Sequence, residues 1–289
     1  MSFKFIAAKL KHSYIWKRIA LERLTEPLHL NILSLFIMAF GSWRSKVAFD
    51  LIMRPHNAFC ILDAAKRCNH YGIKKMAICE FGVAGGAGLV NMAIIAKTVS
   101  KITGVDIRVF GFDTGEGMPW SPVDYRDHPE HYSVGNFKMD VEKLKANLPD
   151  NTELVLGEAA KTIPAFLSRM EIENYCVGYI VVDVDYYTST VDVLTLFDGK
   201  PILYLPLVNI YLDDIGDPTH HPSAGELLAV EEFNNTRPLR KIYTDPFLEN
   251  RRVFRRANWI KHIRYLYVLD HAVTTTVTLE TRNLGNPYL

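Results

Sequence analysis

The chain has 289 residues, 48% of them hydrophobic and 22% charged, with 33 basic against 32 acidic side chains. That is enough apolar material for one large α/β domain with extensions, and so even a charge balance gives no reason to expect a nucleic-acid binder. The cysteines, Cys60, Cys68, Cys79 and Cys176, form no Cys-x-x-Cys pair, which argues for reduced, buried thiols of a cytoplasmic protein and against disulfides or a zinc site.

The basic N-terminus (Lys4, Lys9, Lys11) adjoins no apolar core with a small-residue cleavage site, so no signal peptide is expected. Residues 1–72 are expected to form a helical extension, because SYIWKRIALERL, HLNILSLFIMAF and AFCILDAAKRCNHY space their apolar residues at three and four. The longest apolar stretch, NILSLFIMAF (31–40), is about half of a membrane span. It is expected to pack on the domain or on a second subunit. Basic residues on both sides (Lys11, Lys17, Arg18, then Arg44 and Lys46) make a membrane-surface helix, peripheral to the inner face of the membrane, the alternative.

From Lys75 the pattern alternates. KMAICEFGV, DIRVFGFD, TELVLGE, YIVVDVD and LVNIYLDD read as strands, and GAGLVNMAIIAKTVSKI, VEKLKANLP, AAKTIPAFLSRM and STVDVLTLF as helices between them. Such alternation predicts a Rossmann-like, doubly wound α/β fold over residues 73–289, a mostly parallel sheet of about seven strands with helices on both faces. The C-terminal third adds a helix, GELLAVEEFNN, and the strand-like runs RRVFRR, RYLYVLDH and TTTVTLE. A long polar and aromatic loop, 115–140, follows the second strand. Its Trp120, Tyr125, His128, His131, Tyr132 and Phe137 suit a lid that stacks on an acceptor.

The first strand ends in EFGVAGGAG (80–88) and opens directly into a helix. Gly82, Gly85 and Gly86 permit a tight turn and close approach of a ligand to the helix N-terminus. The second strand ends in GFD, which puts Asp113 where an acid accepts hydrogen bonds from ribose hydroxyls. Glu80 precedes the first glycine, and an acid there suits a cationic ligand better than a pyrophosphate. S-adenosylmethionine, with a sulfonium, an ammonium and a ribose but no phosphate, matches this pattern. The expected cofactor contacts are Glu80, Phe81, Gly82, Gly85, Gly86 and Asp113.

Two further strands end in acid pairs, Asp183 with Asp185 in VVDVDYYTST and Asp213 with Asp214 in YLDD. Taken together, EFGVAGG, GFDTGEGMP, VVDVDYYTST and YLDD resemble, in this order, the class I S-adenosylmethionine-dependent methyltransferases of the macrocin O-methyltransferase type. The resemblance runs from about Lys75 to Asn235; it does not explain the first 72 residues or the length of the 115–140 loop. It implies O-methylation of a sugar or glycosylated metabolite or polysaccharide, with Mg²⁺ held by the aspartates. The chemistry is consistent, since a divalent cation lowers the pKa of a hydroxyl and a carboxylate or histidine takes its proton. Oxygen donors suit Mg²⁺.

Strand alternation would bring Asp183 and Asp185 to one side, whereas at least one of Asp213 and Asp214 must lie in a turn. We assign Asp183, Asp213 and Asp214 to the metal and Asp185 to base or metal duty, with His220 and His221 of THHP as further bases. Helix capping is the bland alternative for any one aspartate. The expected partners are a small-molecule or glycan acceptor and a second copy in a homo-oligomer, without nucleic acid. The competing classes are a nicotinamide-dependent oxidoreductase and a non-catalytic S-adenosylmethionine-binding or membrane-associated scaffold.

Overall fold

The computed structural model describes residues 16, 19–120, 124–131, 133–216 and 221–275. Contacts gather these into two units, one of the described residues up to Phe59 with Thr244–Ile263, the other of Cys60–Tyr243 with the described residues from Arg264 onward. In chain order a π-helical turn (Ile19–Arg23) leads to α1 (Leu28–Phe40), α2 (Trp43–Ala48) and α3 (Pro55–His70). Then come β1 (Lys75–Phe81), α4 (Ala87–Thr103), β2 (Asp106–Asp113), α5 (Val141–Asn147), β3 (Thr152–Leu156), α6 (Ala159–Glu173) and β4 (Cys176–Val182). The chain continues through α7 (Tyr187–Leu194), β5 (Tyr204–Leu212), α8 (Gly225–Thr236), β6 (Arg240–Tyr243), β7 (Ile263–Val268) and α9 (Ala272–Thr275).

The sheet has seven strands in the order β3-β2-β1-β4-β5-β7-β6. The pairs β1–β2, β2–β3, β1–β4 and β4–β5 are parallel, and β6 runs antiparallel to β7. This is the expected Rossmann-like sheet with an antiparallel edge. Parallel strands covered on both faces read as continuous apolar runs, and all seven residues of CVGYIVV in β4 are buried. Successive strands step one way from β1 to β3 and the other way from β4 to β5. Right-handed crossovers therefore put their helices on opposite faces, with a crevice between the carboxyl ends of β1 and β4.

Two strand irregularities have local causes. The β1–β4 register shifts at Gly178, where a Cβ would lie 2.4 Å from Met76 Sδ. The β4–β5 register shifts beyond Val177↔Tyr204, around Pro206, whose missing N–H cannot serve a regular ladder. A polar cluster fixes α3 to the sheet. Asn209 of β5, fully buried, donates to Cys60 O (2.9 Å) and accepts from Arg67 (2.9 Å), which also pairs with Asp63. All four cysteines are buried free thiols, as expected.

The other unit is organised by a buried ion pair. Arg252 donates to Asp50 Oδ1 (2.6 Å) and to the carbonyl of Val47 (2.9 Å), and its guanidinium lies over the rings of Phe59 and Trp259. Trp259 Nε1 donates to the second Asp50 oxygen (3.4 Å), while Arg23 covers Phe254 and donates to the carbonyls of Phe49 and Asp50.

Two strand readings need correction, and one helix is largely exposed. The apolar helix α1 buries only Ser34 and leaves Leu28, Ile32, Leu35, Phe36 and Phe40 exposed. RRVFRR is no strand, because a 3₁₀ turn (Glu249–Arg251) breaks it and Arg252 is drawn inward by Asp50. TTTVTLE begins within α9, and its later residues lie outside those described. Among the described residues, no helix is long and apolar enough to cross a membrane.

The Asp50–Arg252 pair generates a stability prediction. Both side chains are below a tenth exposed, and removing one partner strands a buried charge. Arg252→Met should lower unfolding stability by about 3–5 kcal/mol, read from urea midpoints at constant slope. A second change, Asp50→Asn, should recover part of that loss. An Arg252→Met midpoint equal to that of the unchanged protein would show that the pair is dispensable.

Candidate active site

The carboxyl ends of β1, β2, β4 and β5 bring all the described site residues but His221 to one edge of the sheet. At Gly82, immediately after β1, φ is +84° and an added Cβ would stand 1.6 Å from the carbonyl oxygen of Asp183. Only glycine fits, and it fits because the chain leaving β4 passes directly over it. Gly86, at φ +77°, caps α4 under the side chain of Leu144, whereas the space beside Gly85 is open. The turn is held by Asp113. Its Oδ2 accepts from Val83 N (2.8 Å) and Ala84 N (2.9 Å), and its Oδ1 accepts from Gly115 N (2.7 Å). Asp113 is therefore first a brace between two turns, and a carboxylate with about four acceptor sites has one left for a ligand.

Glu80 is buried, and its carboxylate fills the space above Gly88 in the first turn of α4, where a Cβ would come within 1.9 Å of Oε1. An acid is favoured at that helix end by the backbone dipole. Phe81, 1% exposed, stacks on Phe112 at 4.5 Å, so its side chain floors the turn from within the core.

The acid pairs lie just past their strands. β4 stops at Val182, and Asp185 adopts φ +58° in a tight turn, so strand alternation does not govern Asp183 and Asp185 as expected. β5 stops at Leu212, which places both Asp213 and Asp214 in the following turn. Oxygens of Asp183, Asp213 and Asp214 fall within 4.8 Å of one another. Asp185 joins through its backbone, its N–H donating to Asp214 Oδ2 (3.1 Å).

A fifth acid sits beneath them. Glu226, in the first turn of α8, is fully buried; its Oε2 accepts from Asp214 N (3.3 Å), and its Oε1 has no hydrogen-bond partner. Burial and the charges of Asp185, Asp183 and Asp213 push the Asp214 carboxyl up to about 8, against one opposing N–H from Asp185. Burial and the charges of Asp214, Asp183 and Asp213 raise Glu226 well above the usual carboxylate range. Burial also lowers the nearby Arg264, which the charge of Glu226 partly offsets. A converging set of carboxylate oxygens with one orphaned buried atom fits a hard divalent cation, and a proton is the alternative occupant.

The long loop docks on the helix that follows these acids. Asp127, 1% exposed, accepts from Thr188 N (2.8 Å) and Thr188 Oγ1 (3.0 Å), capping the N-terminal turn of α7. Arg126 forks onto Asp124 and lies 4.4 Å over Tyr187. The side chains of Trp120, Tyr125 and Phe137 stand in solvent, and Tyr132 lies outside the described residues. His221 sits on an exposed turn, where its Nδ1 accepts from Ser223 N (3.2 Å), and it is not among the grouped aspartates. His220 lies outside the described residues.

Sequence reasoning missed Glu226 and Asp127. Glu226 had a signal, since Glu226, Ala229, Val230 and Phe233 form one buried stripe of α8 at helical spacing, and an acid on such a stripe needs a reason to be there. Asp127 had none, because its partner is 61 residues away.

No family model matches the chain, and no curated protein matches it. Among solved structures, the calicheamicin methyltransferase CalS11 is 18% identical, over 82% of this chain and 90% of its own, with a TM-score of 0.51. The O-methyltransferase NovP is 16% identical, over 73% of this chain and 78% of its own, with a TM-score of 0.50. At these identities the likeness is one of fold, and the chain has the Rossmann-like fold of these two methyltransferases.

Proposed function

We propose that the chain is an S-adenosylmethionine-dependent O-methyltransferase that acts on a hydroxyl of a sugar or a glycosylated metabolite with the help of Mg²⁺. The observation that carries this is the contact of Gly82 with the Asp183 carbonyl. A cofactor seated on the glycine turn and an acceptor seated over the acids would then share one wall, as transfer between them requires. The folds of CalS11 and NovP, both named as methyltransferases, lend support.

S-adenosylmethionine, when bound, supplies a methyl group, and the electron pair of the broken carbon–sulfur bond stays on sulfur. In this reading Glu80 lends negative charge to the cationic end of the cofactor, the backbone at Gly85 gives it room, and Asp113 offers its remaining acceptor site to a ribose hydroxyl. Glu80 also disfavours a pyrophosphate at the same helix start, and with it a nicotinamide cofactor. Asp183, Asp213 and Asp214 would hold the cation, which lowers the pKa of a neighbouring hydroxyl. In the same reading Asp185 would take that proton as the oxygen attacks the methyl carbon. Glu226 holds the Asp214 backbone in place.

Three variants separate these roles. Asp113→Ala should weaken S-adenosylmethionine binding by about 1–3 kcal/mol in calorimetry; unchanged affinity would remove Asp113 from the cofactor site. Asp214→Asn should bind the cofactor normally yet lose methyl transfer, as should the intact protein in excess EDTA, assayed against a panel of glycosides. Full turnover in EDTA would defeat the metal assignment. Asp185→Asn should retain Mg²⁺ binding while turnover falls by roughly 10²–10⁴, and a loss of Mg²⁺ binding instead would make Asp185 a ligand.

A further inference from the structure

The loop that caps α7 carries a second cluster of metal-ligating side chains, separate from the aspartates. His128, Glu130 and His131 bring one ligand atom each within 4.8 Å of one another. His128 Nδ1 lies 3.4 Å and His131 Nε2 3.6 Å from Glu130 Oε1. Both distances exceed the roughly 2.7–3.2 Å of a good N–H···O bond. They are close to the edge of a tetrahedron, because ligands at about 2.0–2.1 Å from zinc stand about 3.3–3.4 Å apart. An octahedral Mg²⁺ would draw adjacent ligands to about 3.0 Å.

The scaffold is already built. Asp127, one residue before the cluster, is pinned to Thr188, and His128 adopts φ +50°, which turns the chain so that His131 N donates back to His128 O (3.0 Å). His128 is buried and supplies a fixed anchor, while Glu130 and His131 are 59% and 41% exposed and leave the cluster open to an arriving ion. Two imidazoles and one carboxylate favour a borderline transition ion over Mg²⁺ or Ca²⁺.

We infer that His128, Glu130 and His131 form a site for a Zn²⁺-class divalent ion, with water in the fourth position, that fastens residues 127–131 beside α7. The inference does not rest on methyl transfer. It also departs from the expectation against zinc, which considered cysteines alone.

Co²⁺ is the probe, added to untagged full-length protein with excess Mg²⁺ present to occupy the aspartates. One equivalent should develop the intense visible absorption of tetrahedral Co²⁺, and Zn²⁺ should bleach it. His131→Ala and Glu130→Gln change exposed side chains and should leave the far-ultraviolet dichroism unaltered. Each should weaken Co²⁺ binding tenfold or more, whereas Asp214→Asn should keep the band. Absence of a tetrahedral band, its persistence in His131→Ala, or its loss in Asp214→Asn would each overturn the assignment.

Discussion

The site depends on one close approach, that of the chain leaving β4 to the glycine that ends β1. Asp183 N donates to Phe81 O (2.9 Å), and Gly82 N donates to Phe112 O (2.9 Å), so the sheet ladders continue one residue beyond the strands on both sides. That extension carries the Asp183 carbonyl over Gly82, where any side chain would collide with it. Because β1 and β4 are neighbours at the point where the strand order reverses, the contact also lies where an open α/β sheet leaves its crevice. Topology, glycine and acid are thus a single constraint. The two motifs lie about 100 residues apart in the chain but could not be moved apart in the fold.

Electrostatics sets the second constraint. Two charges 4.8 Å apart repel by about 3 kcal/mol at an effective dielectric near 20, before solvent screening. Asp183 and Asp214 are half-buried, and Glu226 beneath them is out of solvent altogether, so this repulsion is only partly relieved by water. The backbone N–H groups of Asp185 and Asp214 account for one oxygen each. Raised carboxyls at Asp214 and Glu226 favour protons there, and the charge of Arg264 acts on Glu226. Any cation bound there would have to displace those protons.

Strand and helix order was legible because parallel strands under two helical layers read as near-continuous apolar runs, as MAIC and CVGYIVV do. The edge of the sheet was legible as a row of glycines and acids. What each acid does was less so, because roles at strand ends are fixed by turns whose geometry depends on distant backbone. Asp113 illustrates this, since the residue read as a ribose acceptor spends three acceptor positions on backbone N–H groups. Asp185 leaves the strand it was read into. In α1, apolar periodicity marks a face for cover, and its large side chains are exposed in the single chain. Patterning reports that a surface wants cover, without naming what supplies it.

The helix α7 ties these parts together. Its N-terminal turn follows Asp185 and is capped by Asp127 from the long loop, in a hydrogen bond of the charged type worth about 1.5–3 kcal/mol. Tyr187, its first residue, donates to Glu232 of α8, and the first turn of α8 supplies Glu226 beneath Asp214. Loop, α7, α8 and acid cluster therefore form one connected unit. A freely swinging lid would have to break the Asp127 cap each time it opened. Residues 124–131 are thus pinned to α7, with the exposed rings of Trp120 and Phe137 on either side of that segment in the chain.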